Sequence, residues 1–174
     1  ELELALAVAK QVGLPAIAQF ALLEGGRTRD GFAAEEAVRR LTAAGAVMVG
    51  ANCGAGPREL LQVIRRMAGA TDLPLSAFPN SGFPEYVDGR SIYLSTPEYF
   101  ASRAVEMVAA GATLVGGCCG TGPEHIAALA TALKGARPAE RSGFVTLPSQ
   151  TTEFDAEPAA AEKSWLDSDD VLVT

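Results

Sequence analysis

Apolar residues follow two alternating rhythms along this chain. Residues 2–12 place Leu, Ala and Val at helical spacing and stop at Gly13 and Pro15, which predicts an amphipathic helix. Residues 15–22 are a short, nearly unbroken apolar run, as in a buried strand. A polar, Gly-rich stretch from Glu24 to Gly31 reads as a loop, and residues 32–45 as a helix stopped by Gly45. The alternation then repeats. A strand is predicted at 46–54, a helix opening at Pro57, a strand at 74–80, and a long loop to Leu94. Ser95-Thr96-Pro97-Glu98 signals the next helix, which ends at Gly111; a strand at 112–120 follows. Thr121-Gly122-Pro123-Glu124 fits a capping box, with Thr121 as cap, and opens a last helix to about Gly135.

These strands begin near 15, 46, 74 and 113, one β/α unit about every 30 residues. Such alternation predicts an α/β fold with a parallel sheet, either doubly wound or closed into a barrel. The order opens on a helix, in mid-repeat, and four strands are half of an eight-stranded barrel. Residues 136–174 are rich in Ala, Pro, Ser, Thr and acids without a period, and read as a linker or flexible, irregular tail.

Composition adds three constraints. An apolar fraction of 48% in 174 residues is that of a globular chain with a sizeable core. No apolar run reaches the roughly 20 residues that span a bilayer, and Glu1-Leu2-Glu3 carries no basic leader, so a cytoplasmic protein without a membrane role is expected. The net charge of -7 is concentrated in the tail, where residues 140–174 hold eight acids against two bases. Residues 1–139, with thirteen acids against twelve bases, are nearly neutral, which argues against nucleic acid as a partner.

The candidate chemistry lies in three cysteines. Cys53 falls at the end of the second predicted strand, Cys118 and Cys119 at the end of the fourth. Strand carboxyl ends are where barrels and open α/β sheets place their sites. Glycines flank each cysteine: Gly50 and Gly54, then Gly116, Gly117 and Gly120, and these let the backbone turn tightly or approach a bound group. Three thiolates suit a zinc ion with its fourth position open. The alternative is that they are small, buried packing residues. His125, the only histidine, lies in the first turn of a helix and reads as a surface or cap-neighbouring residue rather than a ligand.

Gly50-Ala51-Asn52-Cys53 and Gly116-Gly117-Cys118-Cys119-Gly120-Thr121, with Pro123-Glu124-His125-Ile126 behind and Pro79-Asn80-Ser81-Gly82 between, resemble the zinc motifs of the homocysteine S-methyltransferase family. The resemblance covers about residues 1–135. Val87-Asp88-Gly89-Arg90, Tyr93 and Pro97-Glu98-Tyr99-Phe100 are similar to the bifunctional proteins that join this domain to a methylenetetrahydrofolate reductase. The resemblance implies the C-terminal half of a (β/α)8 TIM barrel, Zn2+ on Cys53, Cys118 and Cys119, and methyl transfer from a small-molecule donor to homocysteine, giving methionine. Asn52 and Asn80 would contact ligand thiolates or substrate, or serve as turn residues. The chain departs from the family in length. The family's first four β/α units, with the acidic residue of the fourth strand, would precede Glu1, and Glu1 and Glu3 do not replace it. A fragment, or a half that needs a complementary half-barrel or a fused reductase domain, is therefore expected. Two alternatives stand beside this: the homocysteine domain of a cobalamin-dependent methionine synthase, and a non-catalytic zinc-binding fragment.

Overall fold

The computed structural model describes residues 1–23, 25–54 and 56–139; the predicted tail from 140 onward lies outside them. The chain begins with α1 (Leu2–Gln11), β1 (Ile17–Phe20), α2 (Ala34–Ala43), β2 (Met48–Asn52), α3 (Pro57–Ala68) and β3 (Leu75–Phe78). It continues with β4 (Pro84–Val87), β5 (Arg90–Tyr93), α4 (Pro97–Ala109), β6 (Ala112–Val115) and α5 (Pro123–Ala132). The four long-range strands pair in parallel in the order β1-β2-β3-β6. This is the expected half-barrel order, with each strand shorter than its apolar run: β1 and β2 by two residues at each end, β3 by one and two, and β6 by five at its carboxyl end alone.

The core lies between the sheet and the helices packed on it. α3 contributes most, burying Pro57, Leu60, Leu61, Val63, Ile64 and Met67 on one face. Pro57 suits the first helical position, where no N–H is needed. Leu60, Leu61, Val63, Ile64 and Met67 meet Val49 and Ala51 of β2 and Leu75 and Ala77 of β3 in one continuous cluster. Gly50 stands between Gln19 and Ser76 in the strand register. Its bare backbone lets Gln19 Nε2 donate across β2 to Ser76 Oγ at 2.9 Å. A Cβ at position 50 would overlap both that hydroxyl and the Ser76 carbonyl oxygen.

The predicted loop before Leu94 is a structured arm. β4 and β5 pair as an antiparallel hairpin, Pro84 opposite Tyr93 and Val87 opposite Arg90. Asp88 and Gly89 turn it with φ of 47° and 78°, both left-handed, as a two-residue hairpin turn of matching twist demands. The helix start expected at residues 95–98 is found, with Thr96 as the cap of α4, accepting from Tyr99 N–H at 3.3 Å, and Pro97 in the first turn.

The cap of α5 differs from expectation. Its N-cap is Gly122, one residue beyond Thr121, and the Thr121 hydroxyl is buried without a partner among the described residues. The side chain that reaches back to the cap is His125, whose Nδ1 accepts Gly122 N–H at 3.1 Å. His125 is therefore buried, 6% exposed, and not on the surface.

Candidate metal centre

The three cysteines meet at the carboxyl edge of the sheet. Their sulfurs all lie within 4.8 Å of one another. Cys53 Sγ is 3.7 Å from Cys119 Sγ, and Cys119 Sγ is 3.8 Å from Cys118 Sγ. Cys53 gets there through a left-handed backbone at the end of β2, with φ of 57° followed by 72° at Gly54. A non-glycine residue in that region is uncommon, and such strain of about 1–3 kcal/mol gathers at functional sites. The vicinal pair gets there by ending the strand early. β6 stops at Val115, and residues 118–121 form a turn closed by Thr121 N–H on the Cys118 carbonyl at 3.1 Å. Gly120 supplies the positive φ of 74° within it.

One short segment holds all three cysteines in place. The Phe78 carbonyl accepts Cys53 N–H at 3.0 Å, and the Pro79 carbonyl accepts Cys118 N–H at 2.9 Å. Asn80 Oδ1 accepts Cys119 N–H at 3.2 Å, and Ser81 N–H donates to the Cys119 carbonyl at 2.9 Å. Residues 78–81 thus act as a template laid along the edge of β3. Asn80 and Ser81 form a clip that grips the Cys119 peptide unit from both sides. Both are buried. Asn52 ends β2, half-buried, beside Cys53.

Three of the flanking glycines make room for the protein's own side chains. A Cβ on Gly116 would strike the Phe78 ring, one on Gly117 the Thr121 side chain, and one on Gly120 the Tyr93 ring. The hairpin therefore lays Tyr93 against the turn that carries the vicinal pair.

Electrostatics divides the thiols. Burial works to raise Cys53, but donation from Gly54 N–H, the thiols of Cys119 and Cys118, and the Asn80 side chain outweighs it, and Cys53 ionises below its ordinary value. Burial raises Cys118, and the neighbouring Cys119 and Cys53 sulfurs keep it high despite help from the Cys119 backbone. Burial, then hydrogen bonding to Cys119 and the charge of all three thiolates, raises the Tyr93 phenol.

The cluster fits a metal ion. Zinc–sulfur bonds of about 2.3 Å in a tetrahedron put sulfurs roughly 3.8 Å apart. The Cys53–Cys119 and Cys118–Cys119 separations match that edge, and the Cys53–Cys118 separation is no more than 4.8 Å, so the three sulfurs are close enough together to share one ion. The donors are thiols, which suit soft or borderline cations over Mg2+ or Ca2+.

Sequence reasoning placed the cysteines and Asn80 here and missed Ser81, Tyr93 and His125. Ser81 sat unused in the Pro79–Gly82 run. Tyr93 was hidden because Asp88-Gly89, a strong hairpin signal, went unread.

A parallel β/α chain with a three-thiol cluster at its strand ends that could hold a metal ion is the class that fold and site define. The homocysteine S-methyltransferase profile matches residues 1–133. The chain belongs to the homocysteine S-methyltransferase family. Methionine synthase of Mycobacterium tuberculosis is 34% identical over 123 residues, 70% of this chain and 10% of that protein. Methionine synthase of Mycobacterium leprae is 34% identical over 127 residues, again 70% and 10%. The metallated form of the Escherichia coli homocysteine methyltransferase MmuM superposes with a TM-score of 0.60 at 27% identity, covering 75% of this chain and 40% of that one. Its apo form matches with the same score, over 44% of that chain. The chain thus spans about a tenth of these curated relatives and under half of the solved enzyme.

Proposed function

We propose that this chain carries the zinc-binding face of an enzyme that methylates the thiol of homocysteine to give methionine. The observation that carries this is the meeting of Cys53, Cys118 and Cys119 within 4.8 Å at the strand ends of a family member. These three cysteines are the proposed ligands, leaving one position open for the homocysteine sulfur. When bound, zinc supplies a Lewis acid that strips the proton from a thiol coordinated there, a group otherwise mostly protonated at neutral pH. The chain's own part is to hold the ligands. Three thiolates on the ion would bring an excess negative charge and so would keep a substrate sulfur bound beside them electron-rich. A homocysteine thiolate held there would take the methyl group as the donor–methyl bond breaks. Asn80 holds Cys119 N–H and supports Cys53 as a thiolate; Asn52 is proposed beside it as a substrate contact.

The half-barrel reading extends to architecture. Residues 1–135 are proposed as the barrel portion and 136–174 as a linker, with the missing half-barrel or a fused reductase domain as partner. The match to methionine synthases favours a second setting, the homocysteine region of a methionine synthase. A cobalamin domain downstream would decide for it, and a reductase barrel would decide against it. No helix among the described residues is long and apolar enough to cross a membrane. A cytoplasmic location is proposed, where thiols stay reduced.

The test is zinc content per chain, with zinc K-edge absorption before and after adding homocysteine. About one zinc with three sulfurs, rising to four, supports the reading. Zinc whose sulfur count ignores homocysteine reduces the chain to a metal-binding piece.

A further inference from the structure

The buried imidazole of His125 joins three segments that the metal site needs. Nδ1 accepts Gly122 N–H at 3.1 Å, at the start of α5 just beyond the cysteine turn. Nε2 lies 2.8 Å from Ser81 Oγ and 2.9 Å from the Ser95 carbonyl. A backbone N–H can only donate, so Nδ1 is the bare nitrogen and Nε2 carries the proton. Glu124 Oε1 also sits 3.2 Å from Nδ1, but that carboxylate is largely exposed and free to turn to water. The Nε2 proton then points to Ser81 Oγ and the Ser95 carbonyl, and the Ser81 hydroxyl donates to that carbonyl at 3.3 Å. Phe100 meets the ring edge-on, 5.6 Å between centroids, and closes the space around it.

Each partner leads to the cysteines. Ser81 is half of the clip on the Cys119 peptide. Ser95 follows β5, the strand that lays Tyr93 against Gly120, and its N–H returns to the Ser81 carbonyl at 3.1 Å. Gly122 follows the turn itself. We infer that His125 is a positioning residue of the metal site: its neutral imidazole locks the Asn80–Ser81 clip to the start of α5 and the root of the hairpin. This rests on the metal reading above and adds a residue that touches neither metal nor substrate. A plain helix cap would use only Nδ1; the lock requires Nε2.

His125→Asn separates the two arms in the 174-residue chain, because Asn keeps an acceptor near the Nδ1 position and loses the reach of Nε2. In the metal-free chain the amides of Cys119, Ser81 and Ser95 should exchange with solvent ~10-fold faster or more, while Ile64 in α3 is unchanged. Co2+ affinity should fall roughly 10–100-fold, the usual effect of losing a ligand-supporting contact. Unchanged exchange at those three amides, or a rise shared with Ile64, overturns the lock and leaves His125 a cap. If the Asn variant does not fold, Ser81→Ala keeps the cap and must show the same local pattern; its absence overturns the inference equally. Failure of the unaltered chain to bind Co2+ would sink the metal reading, and the exchange data would still judge the lock.

Discussion

The middle of this sheet and its margins are built differently. In the middle, α3 buries six side chains, and β2 and β3 hide Val49, Ala51, Leu75 and Ala77 completely. At the β1 margin, α1 buries only Leu6, while Leu4 and Val8 are 74% and 59% exposed and Ile17 on the edge strand 52%. α1 is otherwise tied to α2 by the Glu3–Arg40 pair, exposed at both ends and so weakly stabilising. At the other margin α5 buries only His125 and Leu129. The middle is complete within this chain, while the margins hold apolar surface without cover among the described residues. The site straddles the two. Cys53 and the template of residues 78–81 belong to the middle; Cys118 and Cys119 come from beyond the β6 margin.

If the site does straddle them, removing a thiol from either side should have the same and largest effect. Cys53→Ser in the middle and Cys118→Ser or Cys119→Ser at the margin should each abolish tight metal binding, read by metal content after dialysis. A variant that keeps a full complement of metal would confine the site to one region.

Stability should be lost mainly from the middle. Ile64 is fully buried, so Ile64→Ala should cost about 2–5 kcal/mol in denaturant unfolding, through lost burial and the cavity left behind. Gly50→Ala should cost about 1–3 kcal/mol, because the new methyl overlaps the Ser76 carbonyl and breaks the Gln19–Ser76 bond. A Gly50→Ala chain as stable as the original would show that β2 and β3 can separate freely, and that the middle is looser than its burial implies.

What the sequence made legible follows the same division. The four strands and five helices were readable because their apolar runs are long and punctuated by Gly and Pro, and the three cysteines because strand ends carry sites. The hairpin was missed because four-residue strands with exposed Tyr86 and Ile92 give little periodic signal. Of the two positions expected for His125, beside the cap holds and the surface does not, because local sequence shows its place in a helix turn but not Ser81 and Ser95, which are 44 and 30 residues away. Thr121 was read as the cap for a related reason. A threonine before Gly-Pro-Glu satisfies the capping pattern, and only the tertiary fold shows Gly122 taking the position with an imidazole as its partner.

The smallest expected effect lies at the β1 margin and is the sharpest test of the contrast. Leu4 is mostly exposed, so Leu4→Ala removes little buried surface and should change unfolding free energy by no more than about 0.5 kcal/mol. Unfolding should be measured at two chain concentrations tenfold apart. A midpoint independent of concentration, with no loss in the variant, means the margin is open to solvent in this chain. A midpoint that rises with concentration and a loss well above 0.5 kcal/mol would mean that another copy covers α1 and the β1 edge. The unpaired N–H and C=O groups of an edge strand and apolar side chains of 50–75% exposure are the surface such pairing would bury. In that case the difference between middle and margin belongs to the single chain and vanishes in the assembly.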